Sequence, residues 1–201
     1  MRLVSSSRVE GSIQMADKFP DWFSITAKPN FERFLIPLAG QENLTFLQLG
    51  AYTGDASVWM LDNVLTGDNC MLIDVDTWEG SDEEAHKRMD FSEVEAVYDA
   101  KVRGRAAKSK STTVDYLMKS LFDYDFVYVD ADHTAASALI DAELAWRNLK
   151  SGGILAFDDY EWGKHLPAHL APKLGINLFI ARHQGEFETL LVGLQYWIRK
   201  L

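Results

Sequence analysis

The chain has a single cysteine, Cys70, among its 201 residues. No disulfide can close within it, so a cystine-stapled secreted scaffold is excluded. Cys70 borders an apolar run and reads as a small buried hydrophobe. Basic charge is also scarce: 20 lysines and arginines stand against 30 aspartates and glutamates, a net charge of −10. Duplex nucleic acid and anionic membrane both demand a compensating basic surface, so neither is expected as a partner. No apolar run approaches a membrane span, and MRLVSSSRVEGSIQ lacks the apolar centre of a signal peptide, so a cytoplasmic protein is expected. The apolar fraction of 47% and charged fraction of 25% are those of an ordinary globular chain with one full core.

What the chain does have is a stretch around which the rest is arranged, LTFLQLGAYTGD from Leu44 to Asp55. Its apolar run breaks at Gly50 and Gly54, which reads as a buried strand, a tight turn and then a helix over Ala56 to Leu65. Glycine admits positive φ and close approach of a ligand, and the helix start offers unpaired N–H groups to a carboxylate or phosphate. A second strand, about Cys70 to Val75, leads to Asp76, where a doubly wound fold places the carboxylate that accepts from a ribose. Trp78 is positioned to lie against an adenine. The expected cofactor set is therefore Gly50, Ala51, Tyr52, Gly54, Asp55, Asp76, Thr77 and Trp78, with Asp130 beside it.

Residues 1–15 are polar and aperiodic, as in a flexible tail. Residues 16–43 form an aromatic extension carrying Phe19, Trp22, Phe23, Phe31 and Phe34, which either covers the core or forms a lid or dimer arm. Pro20, Pro29 and Pro37 preclude one long helix there, and Asn30 can cap a short one through Ile36. Residues 44–201 read as the main domain. After the second strand comes an acidic helix bearing Met89, Val94, Val97 and Tyr98 on one side. The basic run KVRGRAAKSK is either a solvated connection around a short edge strand or a contact for an acidic substrate. A helix at STTVDYLMKS, a strand Phe126–Val129, a helix Thr134–Leu149 with Trp146 in its apolar face, and a strand Ile154–Phe157 follow. The tail holds a strand near Asn177–Ala181 and two final runs hinged at Gly193, an edge hairpin. The predicted class is α/β: a doubly wound, mostly parallel seven-stranded sheet with a C-terminal antiparallel hairpin.

Ligands of such sheets bind beyond the carboxyl ends of the strands. Asp130, Asp158 and Asp159 converge there if their strands are neighbours, and three carboxylates cannot all stay ionised without protons or a cation. Oxygen ligands favour a hard dication such as Mg²⁺ or Mn²⁺. His133 is either a base beside that site or a helix-start residue. His86, His165, His169 and His183 show no ligand spacing and read as solvent-exposed or structural.

Taken together, FLQLGAYTGDASVWML, DVDTWEGS, YDFVYVDADH and AWRNLKSGGILAFDDYEW resemble the class I S-adenosylmethionine-dependent methyltransferases, in the bacterial branch with VDTWEGS and DDYEW motifs. The likeness runs from about Trp22 to the C-terminus. It implies the Rossmann-like methyltransferase fold and S-adenosylmethionine as cofactor, with Gly50, Ala51 and Gly54 under its methionine part and Asp76 on the ribose. By similarity to metal-dependent O-methyltransferases it further implies Mg²⁺ or a similar dication on Asp130, Asp158 and Asp159, and Asp132 or His133 as general base. The acceptor would be the hydroxyl of a small molecule. The chain departs from the pattern at Gln48, where relatives carry glutamate, and at Ala131–Asp132–His133, where relatives read Gly-Ser-His. Competing readings are a metal-dependent enzyme of the same fold that processes a small molecule otherwise, and a nucleotide-binding module without catalysis. An aromatic arm and an edge hairpin make a homodimer plausible.

Overall fold

In the computed structural model the described residues are 18–201 apart from 82, 83 and 85. The tail expected over 1–15, and part of the acidic stretch after Ser81, lie outside them. Seven strands form one sheet: β1 (Thr45–Leu49), β2 (Met71–Asp76), β3 (Ala107–Lys110), β4 (Tyr124–Val129), β5 (Leu149–Phe157), β6 (Phe187–Val192) and β7 (Tyr196–Lys200). Their order is β3-β2-β1-β4-β5-β7-β6. The first five pair in parallel, while β7 runs antiparallel to β5 and β6. This is the doubly wound sheet with a C-terminal hairpin that the sequence predicts. The winding reverses between β1 and β4, which opens a crevice at their carboxyl ends.

Among the described residues six α-helices flank the sheet: α1 (Lys28–Leu35), α2 (Asp55–Asn63), α3 (Phe91–Val102), α4 (Thr113–Leu117), α5 (Ala135–Arg147) and α6 (Pro172–Arg182). Strands buried on both faces read as continuous apolar runs, and β4, YDFVYV, is buried at every position but one. Phe31, Phe46, Phe126, Tyr128 and Trp197 pack on one face of the sheet, and Leu47, Val127, Leu155, Phe157 and Phe179 on the other. Trp146 is buried in that second cluster, as its helical spacing indicates.

Two elements differ from the sequence reading. Asn177–Ala181 is not a strand but part of α6: a short apolar run fits either period, and here Pro172 starts a helix that buries Ile176 and Phe179 while leaving Leu174 and Leu178 outside. Gly175 lets α6 lie directly on α5, since a Cβ there would fall 2.0 Å from the Ala135 carbonyl oxygen. In the aromatic extension, a π-helical turn (Phe23–Ala27), α1 and a 3-10 turn (Ile36–Leu38) run on without a break. Pro29 sits in the first turn of α1, directly after the π-helical turn. Asn30 therefore caps no helix, and its amide reaches Gln195 instead. Cys70 is half-buried, with its thiol 3.1 Å from the Gln41 carbonyl oxygen. Among the described residues no helix is long and apolar enough to cross a membrane.

Candidate active site at the strand carboxyl ends

A cavity of ≈ 630 Å³ opens over the carboxyl ends of β1, β2, β4 and β5. At one end stands the glycine turn. Gly50 has φ +88°, and a Cβ on it would lie 1.8 Å from the Asp130 carbonyl oxygen, so only glycine fits between β1 and β4. Gly54, at φ +82°, precedes α2, and the Tyr98 ring packs beneath it. The turn is tied down by side chains. Asp76 Oδ2 accepts from the Ala51 and Tyr52 amides at 2.8 and 2.9 Å, while Oδ1 accepts from the Trp78 amide at 2.7 Å. The Trp78 indole N–H donates to the Tyr52 carbonyl at 3.0 Å, and Gln48 Nε2 to the Gly50 carbonyl at 2.9 Å.

Several expected cofactor residues thus serve the turn itself. Trp78 is buried, stands 4.9 Å from the Tyr98 ring and carries Lys108 on its face, and it does not line the cavity. Gln48 is turned inward, its Oε1 accepting from Ser57. Asp55 is paired with Lys101 at 2.6 Å and with the Thr53 hydroxyl. Together with Ala51 it borders a side cavity of ≈ 50 Å³ that also touches Asp130 and Asp158. Gly50, Tyr52, Asp76 and Thr77 line the main cavity.

The other end is a cluster of charge. Asp130 follows β4 and Asp158 and Asp159 follow β5; adjacency of those strands brings all three carboxylates to one place. Burial, then the charge of Asp158, pushes the Asp130 carboxyl well above the carboxylate range. Burial, then the charge of Asp159, pushes Asp158 up to about 6. His133 Nε2 lies 3.0 Å from Asp159 Oδ2 and 3.7 Å from Asp130 Oδ1, with the Trp162 ring 4.9 Å away. Asp130, His133 and Asp159 offer ligand atoms within 4.8 Å of one another, a donor set of two oxygens and one nitrogen that fits a dication. Asp158 instead accepts from Gln195 Nε2 at 2.7 Å. Asp132 lines the cavity, yet its Oδ1 accepts from the Thr134 amide at 2.8 Å at the start of α5. Burial would raise its pKa, but hydrogen bonds from Thr134 and Ser137 hold it below the ordinary value.

Sequence reasoning missed several lining residues. Ser111, Thr112 and Thr113 follow β3, a strand too short and polar to advertise a site. His86, read as solvent-exposed or structural, lines the cavity with its ring 6.0 Å from Trp22. Trp22 and Thr26 of the extension form part of the wall, and Trp22 stacks on Tyr52 at 4.7 Å. Among the described lining residues there are five aspartates and neither lysine nor arginine.

Comparison with known proteins agrees with this geometry. No curated protein matches the chain in sequence. An O-methyltransferase from Bacillus cereus in complex with SAH is similar in structure, with 16% identity and a TM-score of 0.59 over 98% of this chain and 93% of that one. The SAH-bound Podospora anserina methyltransferase PaMTH1 has 13% identity and a TM-score of 0.61, covering 98% and 89%. An rRNA methylase from Streptococcus thermophilus has 10% identity and a TM-score of 0.58, covering 85% and 93%. These likenesses establish the fold. The family described as a methyltransferase domain matches residues 47–160, which span β1 to the end of the carboxylate cluster and more than half of the chain. The protein therefore belongs to the methyltransferase domain family.

Proposed function

We propose that this methyltransferase takes its methyl group from S-adenosylmethionine and transfers it to the hydroxyl oxygen of a small-molecule acceptor, with a dication at Asp130, His133 and Asp159. The observation that carries the reading is that one cavity joins both ends of the site: Gly50, Tyr52, Asp76 and Thr77 at one, Asp130, His133, Asp158 and Asp159 at the other. A volume of ≈ 630 Å³ is that of a pocket for a cofactor and a compact acceptor. Solved relatives of the same fold hold SAH. The lining disfavours a polyanion such as RNA, because five aspartates stand in it with no described lysine or arginine to offset phosphate.

The reaction is a single displacement: the acceptor oxygen bonds to the methyl carbon, the carbon–sulfur bond breaks, and the hydroxyl proton leaves. The glycine turn and Asp76 hold the donor, and the carboxylate end holds the acceptor, so orientation supplies much of the rate. A bound dication lowers the pKa of an acceptor hydroxyl and fixes its oxygen. Trp22, Thr26 and Trp162 wall the cavity and exclude water from the reacting atoms.

The 3.0 Å contact between His133 and Asp159 favours a second reading without metal, in which Asp159 orients His133 as the general base. Asp132 suits that role less, since its hydrogen bonds to the start of α5 make it a weaker base. Calorimetric titration of metal-stripped protein with S-adenosylhomocysteine, followed by a methyl-labelled acceptor screen with and without Mg²⁺, tests both. Saturable binding and Mg²⁺-dependent labelling of hydroxyl compounds support the first reading; labelling that survives EDTA supports the second. A wild-type protein that binds no S-adenosylhomocysteine overturns both.

A further inference from the structure

Gln195 is fully buried where the hairpin turn enters β7. Its side-chain amide has two hydrogens to give and two lone pairs to fill, and four groups meet it. Oε1 accepts from Asn30 Nδ2 at 2.7 Å and from Trp197 Nε1 at 2.9 Å. Nε2 donates to Asp158 Oδ1 at 2.7 Å and faces the Tyr128 hydroxyl at 3.3 Å. An indole N–H can only donate, so Trp197 dictates which end of the amide is oxygen. Trp197 cannot turn away, because its ring is stacked on Phe126 at 5.6 Å and flanked by Phe31 and Phe34 at 5.4 and 5.2 Å. The amide therefore has one orientation, with its N–H aimed at the carboxylate of Asp158.

We infer that Gln195 is a positioning residue: it pins the Asp158 carboxylate beside the Asp130, His133 and Asp159 ligand set, where Asp158 binds no cation itself but adds its negative charge to the site, and so tunes the cation affinity. The inference rests on the dication reading given above. Asp158 stands beside two other carboxylates that repel it, and a side chain under such repulsion rotates away unless donors hold it. Two donors do so: the Tyr128 hydroxyl, from the neighbouring strand, and Gln195, which donates both to Asp158 and to that hydroxyl from a part of the chain far from the motif that carries Asp158. Asn30 extends the link to the aromatic extension, so α1, the hairpin and β5 are all tied to one carboxylate.

The test is the affinity of the metal-stripped protein for Mn²⁺ by electron paramagnetic resonance, read beside the thermal midpoint and the affinity for S-adenosylhomocysteine. Gln195→Leu is expected to weaken Mn²⁺ binding about 10-fold, as the loss of outer partners of a metal site does. Trp197→Phe and Asn30→Ala, which leave Asp158 untouched and only unlock the amide, should weaken it by about 3-fold each. Val94→Ala, a buried core position of α3 outside this network, should lower the midpoint and leave Mn²⁺ affinity unchanged. If Gln195→Leu fails to fold, Trp197→Phe and Asn30→Ala decide the matter. Lower midpoints with unchanged Mn²⁺ affinity in all of them would show a purely structural glutamine and overturn the inference. A wild-type protein that binds S-adenosylhomocysteine but no Mn²⁺ would remove the dication reading and the inference together, while leaving the cofactor end standing.

Discussion

The two ends of the cavity are built on opposite principles. At the glycine turn the polar groups are matched: Asp76 alone takes three backbone N–H groups, and the Gly50 and Tyr52 carbonyls each receive a side-chain donor. That end is preorganised, and a ligand meets a surface already in place. At the carboxylate end three acids and a histidine are held together against the acids' repulsion, and two of the acids have raised pKa values, from burial first and from that repulsion second. A cation relieves that end, whereas the backbone groups of the glycine turn already have their partners. The contrast teaches that cofactor and cation should act on the molecule separately, except where one residue belongs to both ends.

Gly50 is that residue, and replacing it has the largest expected effect. Gly50→Ala places a Cβ 1.8 Å from the Asp130 carbonyl at a φ of +88°, which costs on the order of 3–5 kcal/mol in strain and displaced backbone. Chemical denaturation should show that loss, and binding of both S-adenosylhomocysteine and Mn²⁺ should fall together. Retention of either one would mean that the two ends do not share their backbone support. Asp76→Ala comes next and should separate them. It strips three N–H groups of their acceptor, and a loss of about 3 kcal/mol, roughly 100-fold in S-adenosylhomocysteine affinity, is expected by calorimetry. Mn²⁺ affinity should not move; a matching fall would contradict the division.

Asp159→Asn probes the other end. Saturating the wild-type protein with Mn²⁺ at about 100 times its dissociation constant should add about 2.7 kcal/mol, a rise of several degrees in thermal midpoint. In Asp159→Asn that rise should vanish while S-adenosylhomocysteine still binds. Without metal the variant should melt higher than wild type, because the charge that Asp159 imposes on Asp158 is gone. A lower midpoint would mean that Asp159 supports the fold rather than burdening it.

How much of this was legible in the sequence follows the same division. The sheet, the glycine turn, Asp76 and the three strand-end aspartates could be read because each is local: an apolar run, then glycine or acid. What the text could not show is which neighbour each side chain meets. Trp78 follows Asp76 in sequence, but the turn at Tyr52 captures its indole and buries it. Asp158 and Asp159 are adjacent in the chain, yet Gln195 takes one while His133 meets the other. Both outcomes depend on pairings more than 20 residues apart. Helix α6 was misread for a different reason, since its apolar run is compatible with either period until Gly175 is seen against α5.

The smallest effect tests whether the cofactor end is as relaxed as it looks. Asp74 lies beneath it, paired across the sheet with Gln48 and fully buried. Burial pushes its pKa up to about 6, although hydrogen bonds from Tyr98, at 2.8 Å, and Ser57 pull the other way. A carboxyl raised in the folded state favours folding at pH values below its ordinary range, and that contribution is lost as pH rises through about 6. Asn in its place cannot ionise but still accepts from Tyr98. The stability of Asp74→Asn relative to wild type should therefore climb between pH 4 and pH 7 by an amount of order 2 kcal/mol. Asp141, also raised to about 6, titrates in the same window but is common to both proteins and cancels in the difference. A flat difference across that range would mean that Asp74 is ionised throughout at no cost, and the cofactor end would then hold its buried acid as comfortably as it holds Asp76.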